Sequence, residues 1–227
     1  MNAAARKSDE PTELARERRA ARSVARATGG AEARERILRA AERVFAAEGF
    51  SGASMRAIAG GAGVAQALLH YHFGDKRSLY AAVVAWRAKA INAERVARLK
   101  ALGPAASLRG ILQALFAPAL GEAAGGEDYA RIMASLMTGD AMHQDLVREH
   151  YDPTAQTFID ALARATGRPR GEAAWGYSLA IHVLVAAMAR SGRTERLAGE
   201  AGPADTSAFL ERIVAFAAGG VEAPPLR

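Results

Sequence analysis

The chain has 227 residues, 50% of them hydrophobic, no cysteine and a formal net charge of +6. That is enough apolar material to bury a core in one large or two modest domains, and it excludes disorder throughout, disulfides, thiolate metal sites and cysteine nucleophiles. Alanine accounts for 56 residues against five Tyr, seven Phe and two Trp, a balance that favours helix and argues against an all-β fold.

Residues 1–30 show no apolar periodicity, carry Arg16, Arg18, Arg19, Arg22 and Arg26, and end at Gly29-Gly30. They predict a flexible basic arm without the apolar run of a signal peptide. The first 80 residues hold 14 Lys/Arg against 9 Asp/Glu and the rest hold 16 against 15, so the surplus positive charge sits in the first third. A basic segment on a nearly neutral body suits a polyanion, although compositional bias in an Ala/Arg-rich chain accounts for it equally well.

From residue 31 the pattern turns helical. Ile37, Ala41, Val44 and Phe45 recur at i, i+4, i+7 and i+8, predicting a first helix over 31–48 that stops at Gly49. Ser54 stands as N-cap before Met55-Arg56-Ala57-Ile58-Ala59, so a short second helix starts there and ends among Gly60, Gly61 and Gly63. Another short helix follows over 65–72. Asp75 caps a longer one that carries Leu79, Val83, Trp86 and Ala90 towards Lys100 and closes at Gly103-Pro104. Five more helices are predicted near 105–120, 128–138, 141–166, 171–190 and 205–218, followed by a frayed tail over 219–227. No run competes as a strand, so the fold class is all-α. The longest uncharged stretch, Ala173 to Ala189, is too short and too rich in alanine to cross a bilayer, and the protein is expected in the cytoplasm without a membrane partner.

Ile58 to Leu69 has the layout of a helix-turn-helix. Ala59 lets two helices cross closely, Gly63 makes the turn, and Ile58, Val64 and Leu69 supply a seam against the first helix. Any two-helix corner could share this spacing, so the layout alone leaves DNA binding open. A longer ordered set is more specific: Arg34-Glu35-Arg36-Ile37-Leu38, Phe45-Ala46-Ala47-Glu48-Gly49-Phe50, Ser54-Met55-Arg56-Ala57-Ile58-Ala59, Ala62-Gly63-Val64, Leu69-His70-Tyr71-His72-Phe73 and Asp75-Lys76-Arg77-Ser78-Leu79. Together these resemble the DNA-binding domain of TetR-family transcriptional regulators. The set covers about a fifth of the chain, and the remainder resembles the family only in helix number and length.

The resemblance implies a helix-turn-helix domain over 31–78, a ligand-binding and dimerisation domain over 79–220 and a tail over 221–227. It places the second short helix in the major groove of double-stranded DNA, with Gln66 able to pair with adenine and Ala67 to touch a thymine methyl. Arg56 matches a position that reaches a base edge, where it would favour guanine, with a phosphate contact or a solvated side chain as the other reading. His70 joins the base-reading set with its role open, because His70 and Leu68 stand where the family more often has Tyr and Thr. Ser54, Tyr71, His72 and Lys76 fall where the family grips phosphates. Phe73 and Leu79 belong to the core.

The resemblance further implies a non-enzymatic repressor or activator, read here as a repressor with the direction of control open, that binds a near-palindromic operator as a homodimer and is released by a small-molecule inducer; no cofactor or metal is expected. Trp86, Phe116, Met133, Met137, Tyr151, Phe158 and His182 are the pocket candidates, and their character favours an apolar or amphipathic ligand. Residues 172–190 are apolar nearly all round, so both faces need cover. Trp175 and Leu179 there, with Phe209, Ile213 and Phe216 on the last helix, are the candidate dimer interface. Two rival readings remain. One is a helical enzyme using His143 and His150 near Asp140, Asp145 and Glu149, a set that hydrophilic helix surfaces produce routinely. The other is a basic scaffold without sequence preference.

Overall fold

The computed structural model describes residues 13–121, 124–189, 192–199 and 205–223, with side chains from residue 29 onward. Those residues form α1 (Glu13–Gly52), α2 (Met55–Ala62), α3 (Gln66–Phe73), α4 (Lys76–Leu102), α5 (Leu108–Leu120), α6 (Gly126–Thr138), α7 (Ala141–His150), α8 (Asp152–Thr166), α9 (Arg170–Met188), α10 (Arg193–Ala198) and α11 (Thr206–Glu222). Among the described residues there is no strand.

Local chemistry sets several of the boundaries. Ser54, Asp75, Ser107, Asp140 and Asp205 each accept a backbone N–H three residues ahead, satisfying a donor that the first helical turn leaves free. Gly49, at φ 69° and ψ 174°, breaks the helical geometry near the end of α1, where the apolar spacing placed the stop.

Four expectations need correction. Residues 13–30 are helical rather than irregular: α1 already runs through them, because Gly29 and Gly30 keep negative φ and Ala- and Arg-rich turns tolerate the roughly 1 kcal/mol that each glycine costs. Residues 1–12 lie outside the described residues. The single helix over 141–166 is two, since Pro153 has no N–H to continue α7 and sits instead in the first turn of α8. α10 was not anticipated, and α11 continues through Glu222 rather than fraying at 219; residues 224–227 lie outside the described residues.

Two apolar clusters make the core. The first takes Ile37, Ile58, Leu69, Leu79 and Val83 from α1–α4, together with Tyr129, Leu136 and Leu146 from α6 and α7. The second gathers Leu112, Phe116, Phe158, Leu184 and Val214 from α5, α8, α9 and α11. Met133 packs against both. A buried ion pair crosses the first cluster: Arg87 on α4 donates from Nε to Glu42 Oε1 on α1 at 2.7 Å and from Nη2 to Oε2 at 2.5 Å. Gly125, at φ 84°, presses its backbone onto this pair, and a Cβ there would stand 2.5 Å from Glu42 Oε1. The start of α6 is therefore moulded on the contact between α1 and α4.

Candidate nucleic-acid interface and effector cavity

α2 ends in a left-handed Gly63 at φ 65°, with Val64 N–H donating to Ala59 O and Gly63 N–H to Gly60 O, both at 3.1 Å. This paired closure satisfies carbonyls that the helix end would otherwise orphan, and it turns the chain sharply into α3. Ile58 and Leu69 are fully buried under the corner and Val64 packs against the same cluster, so the seam forms as its spacing predicted. Phe73 and Leu79 are likewise in the core.

With α3 held by Leu69 and Phe73, its other face looks outward. Gln66, Ala67 and His70 are exposed and Tyr71 is 82% exposed, while Arg56 stands exposed on α2. His70 Nδ1 lies 2.6 Å from the Gly74 carbonyl, an acceptor only, so Nδ1 carries the hydrogen and donates. Nε2 then faces the Gln66 amide nitrogen at 3.4 Å, where that nitrogen can donate to it. His70 therefore steadies the Gln66 side chain one turn away.

Of the phosphate candidates, Ser54 caps α2 through Ala57 N–H at 3.1 Å, Tyr71 is free of cover, and His72 is half-buried, with its ring 5.2 Å from that of Tyr71. Lys76 does more than sequence suggests. Its ammonium donates to the Ser51 and Ala53 carbonyls at 3.1 and 3.0 Å and lies 4.9 Å from the Phe50 ring centre, tying the start of α4 to the end of α1. Arg34 on α1, outside the candidate set, stacks its guanidinium 5.2 Å from the Phe73 ring and adds a basic group beside α3.

A cavity of about 330 Å³ opens where the two core clusters meet. Met133, Met137, Tyr151 and His182 line it. Trp86, Phe116 and Phe158 do not. Phe116 and Phe158 are fully buried in the second cluster, and Trp86 packs on the first between the guanidinium groups of Arg39 and Arg87, because an apolar stripe does not distinguish positions over a void from positions over filled core. Sequence reasoning missed Arg95, Tyr129 and Tyr177, which also line it. The signal was present: Arg95 falls on the buried stripe of α4 one turn after Ile91, where spacing asks for an apolar residue.

The Tyr129 and Tyr151 hydroxyls share a hydrogen bond within the cavity wall. Burial pushes the Tyr151 hydroxyl up to about 12 and the Tyr129 hydroxyl well above its ordinary value, and it raises Tyr177 as well. All three stay protonated, with one hydrogen of the Tyr129–Tyr151 pair committed to their shared bond.

On the far side of α9, Trp175 and Leu179 are 74% and 62% exposed, and Phe216 on α11 is 70% exposed beside them. Ile213 is not on this face. It turns inward with Val214 and Ala217 into the protomer's own core, while Phe209 is half-buried against that core, because the stripe on α11 faces α5 and α9 first. His143 and His150 do not assemble a ligand set: His143 Nδ1 sits 2.7 Å from its own helix cap, Asp140, and among the described residues no group of three His, Cys, Asp or Glu side chains could hold a metal ion.

Two family models match this arrangement. Residues 37–83 match bacterial regulatory proteins of the tetR family, and residues 109–220 match the tetracyclin repressor-like C-terminal domain. Their spans jointly cover well over half of the chain, one on the reading corner and one on the cavity. The chain belongs to the TetR family.

It is accordingly a ligand-responsive, DNA-binding transcriptional regulator. TetR-family regulators are in general non-enzymatic DNA-binding proteins. Among solved structures, the fold is similar to the TetR-family regulator PfmR of Thermus thermophilus, with 15% identity, 84% of this chain and 99% of that one covered, and a TM-score of 0.60. The fatty acid degradation regulator FadR of Bacillus halodurans is similar at 16% identity, with 85% and 99% covered and a TM-score of 0.60. A putative regulator from Saccharomonospora viridis, solved in complex with choline, is similar at 21% identity, with 85% and 96% covered and a TM-score of 0.58. A search of curated proteins gave no match. Among the described residues no helix is long and apolar enough to cross a membrane.

Proposed function

We propose that this TetR-family chain acts as a homodimeric repressor that binds a near-palindromic operator and is released by a small apolar or amphipathic effector held in the cavity between the two core clusters. The observation that carries the reading is the course of α4. Its first turn, at Leu79, packs in the cluster that seats α3, and three turns later Ile91 lines the cavity, all on one continuous helix. An effector that prefers one tilt of α4 thereby shifts the spacing of two α3 helices, and operator affinity falls by the same coupling factor. Half-sites then lie about one helical turn, roughly 34–36 Å, apart. The uncovered apolar face of Trp175, Leu179 and Phe216 supports dimerisation through α9 and α11. That a structural relative was solved with choline supports a small-molecule site in this fold.

In this reading Gln66, Ala67 and Arg56 meet base edges, with His70 positioning Gln66, while Ser54, Tyr71, His72 and Lys76 hold phosphates. Selection of binding sites from random duplex DNA tests it. The selected sites should be near-palindromic, and Gln66→Ala should relax preference at one position of each half-site, where loss of a bidentate contact removes about 1–3 kcal/mol of discrimination. Lys76→Ala should weaken all duplexes about equally. An unaltered preference profile for Gln66→Ala, or selected sites without two-fold symmetry, would overturn the reading.

A further inference from the structure

We propose that the effector carries a carboxylate on an apolar body, and that Arg95 on α4 reads its charge. The inference rests on the cavity being the effector site. Two arginines of α4 are buried, and they differ in one respect. Arg87 is paired with Glu42, whereas Arg95, only 5% exposed, has no carboxylate within 4 Å among the described residues. An ionised group withdrawn from water is costly unless an opposite charge meets it. Asp152, the one carboxylate among the cavity-lining residues, lies beyond that distance and makes no hydrogen bond to Arg95.

The guanidinium is also held in place and only partly used. Nε donates to the Leu115 carbonyl at 2.8 Å, and Nη1 reaches Asn92 Oδ1 at 3.4 Å. Asn92 is itself oriented, because its amide nitrogen donates to the His150 carbonyl at 2.7 Å and turns the oxygen towards Arg95. Two of five N–H donors are thus engaged, leaving three on the terminal nitrogens at the cavity wall. Tyr129, Tyr151 and Tyr177 line the same cavity; one hydrogen of the Tyr129–Tyr151 pair is used in their shared bond, which leaves the other and that of Tyr177 to donate to an anion. Around them Met133, Met137, Ile159, Ile181 and Leu184 supply an apolar lining. A fixed cation among hydroxyl donors in an apolar chamber is complementary to one negative head and a hydrocarbon body.

Three ten-carbon probes separate charge from chain: decanoate, decan-1-ol and decyltrimethylammonium, titrated calorimetrically into the full-length protein. Decanoate should bind at least about tenfold more tightly than the alcohol, the measure of one charge-assisted hydrogen bond, and the cation more weakly than either. Arg95→Gln should lose that margin for decanoate and leave the alcohol unchanged, a split in selectivity that a purely structural role would not produce. The comparison of probes on the unaltered protein stands even if Arg95→Gln fails to fold. Equal binding of alcohol and carboxylate, or preference for the cation, would overturn the charge assignment while leaving the cavity as the effector site. If no probe binds, or if all bind unchanged to Met137→Trp, a substitution at the cavity lining chosen to fill it, both the inference and the underlying reading fall.

Discussion

α3 and α9 present opposite solutions to the same problem. The shorter helix buries Leu69 and Phe73 and exposes polar groups, so water covers its outer face at no cost and DNA can replace that water. α9 buries Ala180, Ile181, Leu184 and Val185 on one side yet leaves Trp175 and Leu179 bare on the other. Water is a poor neighbour for that face. The difference teaches that the described residues complete the reading corner but leave an apolar surface uncovered, the face that the proposed dimer would close.

The largest test of this contrast is Leu179→Arg. A charge at a position 62% exposed leaves the protomer stable but has to be desolvated in a dimer, so the protein should become monomeric by light scattering. Losing the second reading helix should lower operator affinity by about 100-fold or more; a dimer that survives the substitution would place the partner elsewhere. Leu69→Ala should act on the other side of the comparison, lowering unfolding free energy by about 2–5 kcal/mol in urea titrations because a fully buried side chain leaves a void beneath α3. Gly63→Ala should cost about 1–2 kcal/mol, since φ 65° is a left-handed conformation that a Cβ opposes. No change in stability there would mean that the turn tolerates another path.

The smallest effect concerns acid. The backbone N–H of Ser78 holds the Asp75 carboxyl below its ordinary 3.8, and hydrogen bonds from His143 do the same for Asp140. A depressed folded-state value means that each carboxylate stabilises the fold at pH above 3.8 and loses that contribution as pH falls through the lowered value. Asp75→Asn and Asp140→Asn should each flatten the acid limb of a pH–stability curve slightly. A steeper limb in either variant would contradict the sign.

The reading corner was legible because its determinants are local. Ser54, Gly63 and Asp75 each act on residues within five positions, and the buried stripe of Ile58, Leu69 and Leu79 follows from spacing. The effector half was legible as helices but not as a site. Phe116 and Met133 both read as apolar helix residues, and only the closure of α4, α6, α8 and α9 in three dimensions puts one in solid core and the other at a cavity. Ile213 and Phe216 lie three residues apart on α11, yet the edge of the neighbouring helices falls between them. Pro153 announced the break between α7 and α8, and the apolar spacing on either side of it masked the signal. The start of α1 eluded sequence because two glycines permit a turn without requiring one.

The moulding of Gly125 onto the Glu42–Arg87 pair bears on how such regulators can be recombined. The reading corner is not a detachable cassette: a chimera joined just after α4 would strip away the side chains of Tyr129, Ile132 and Leu136 that finish its floor, and would leave the ion pair facing a foreign loop. A graft that keeps this chain's operator preference while borrowing another sensor would need its seam beyond α7, whose Leu146 belongs to the same cluster.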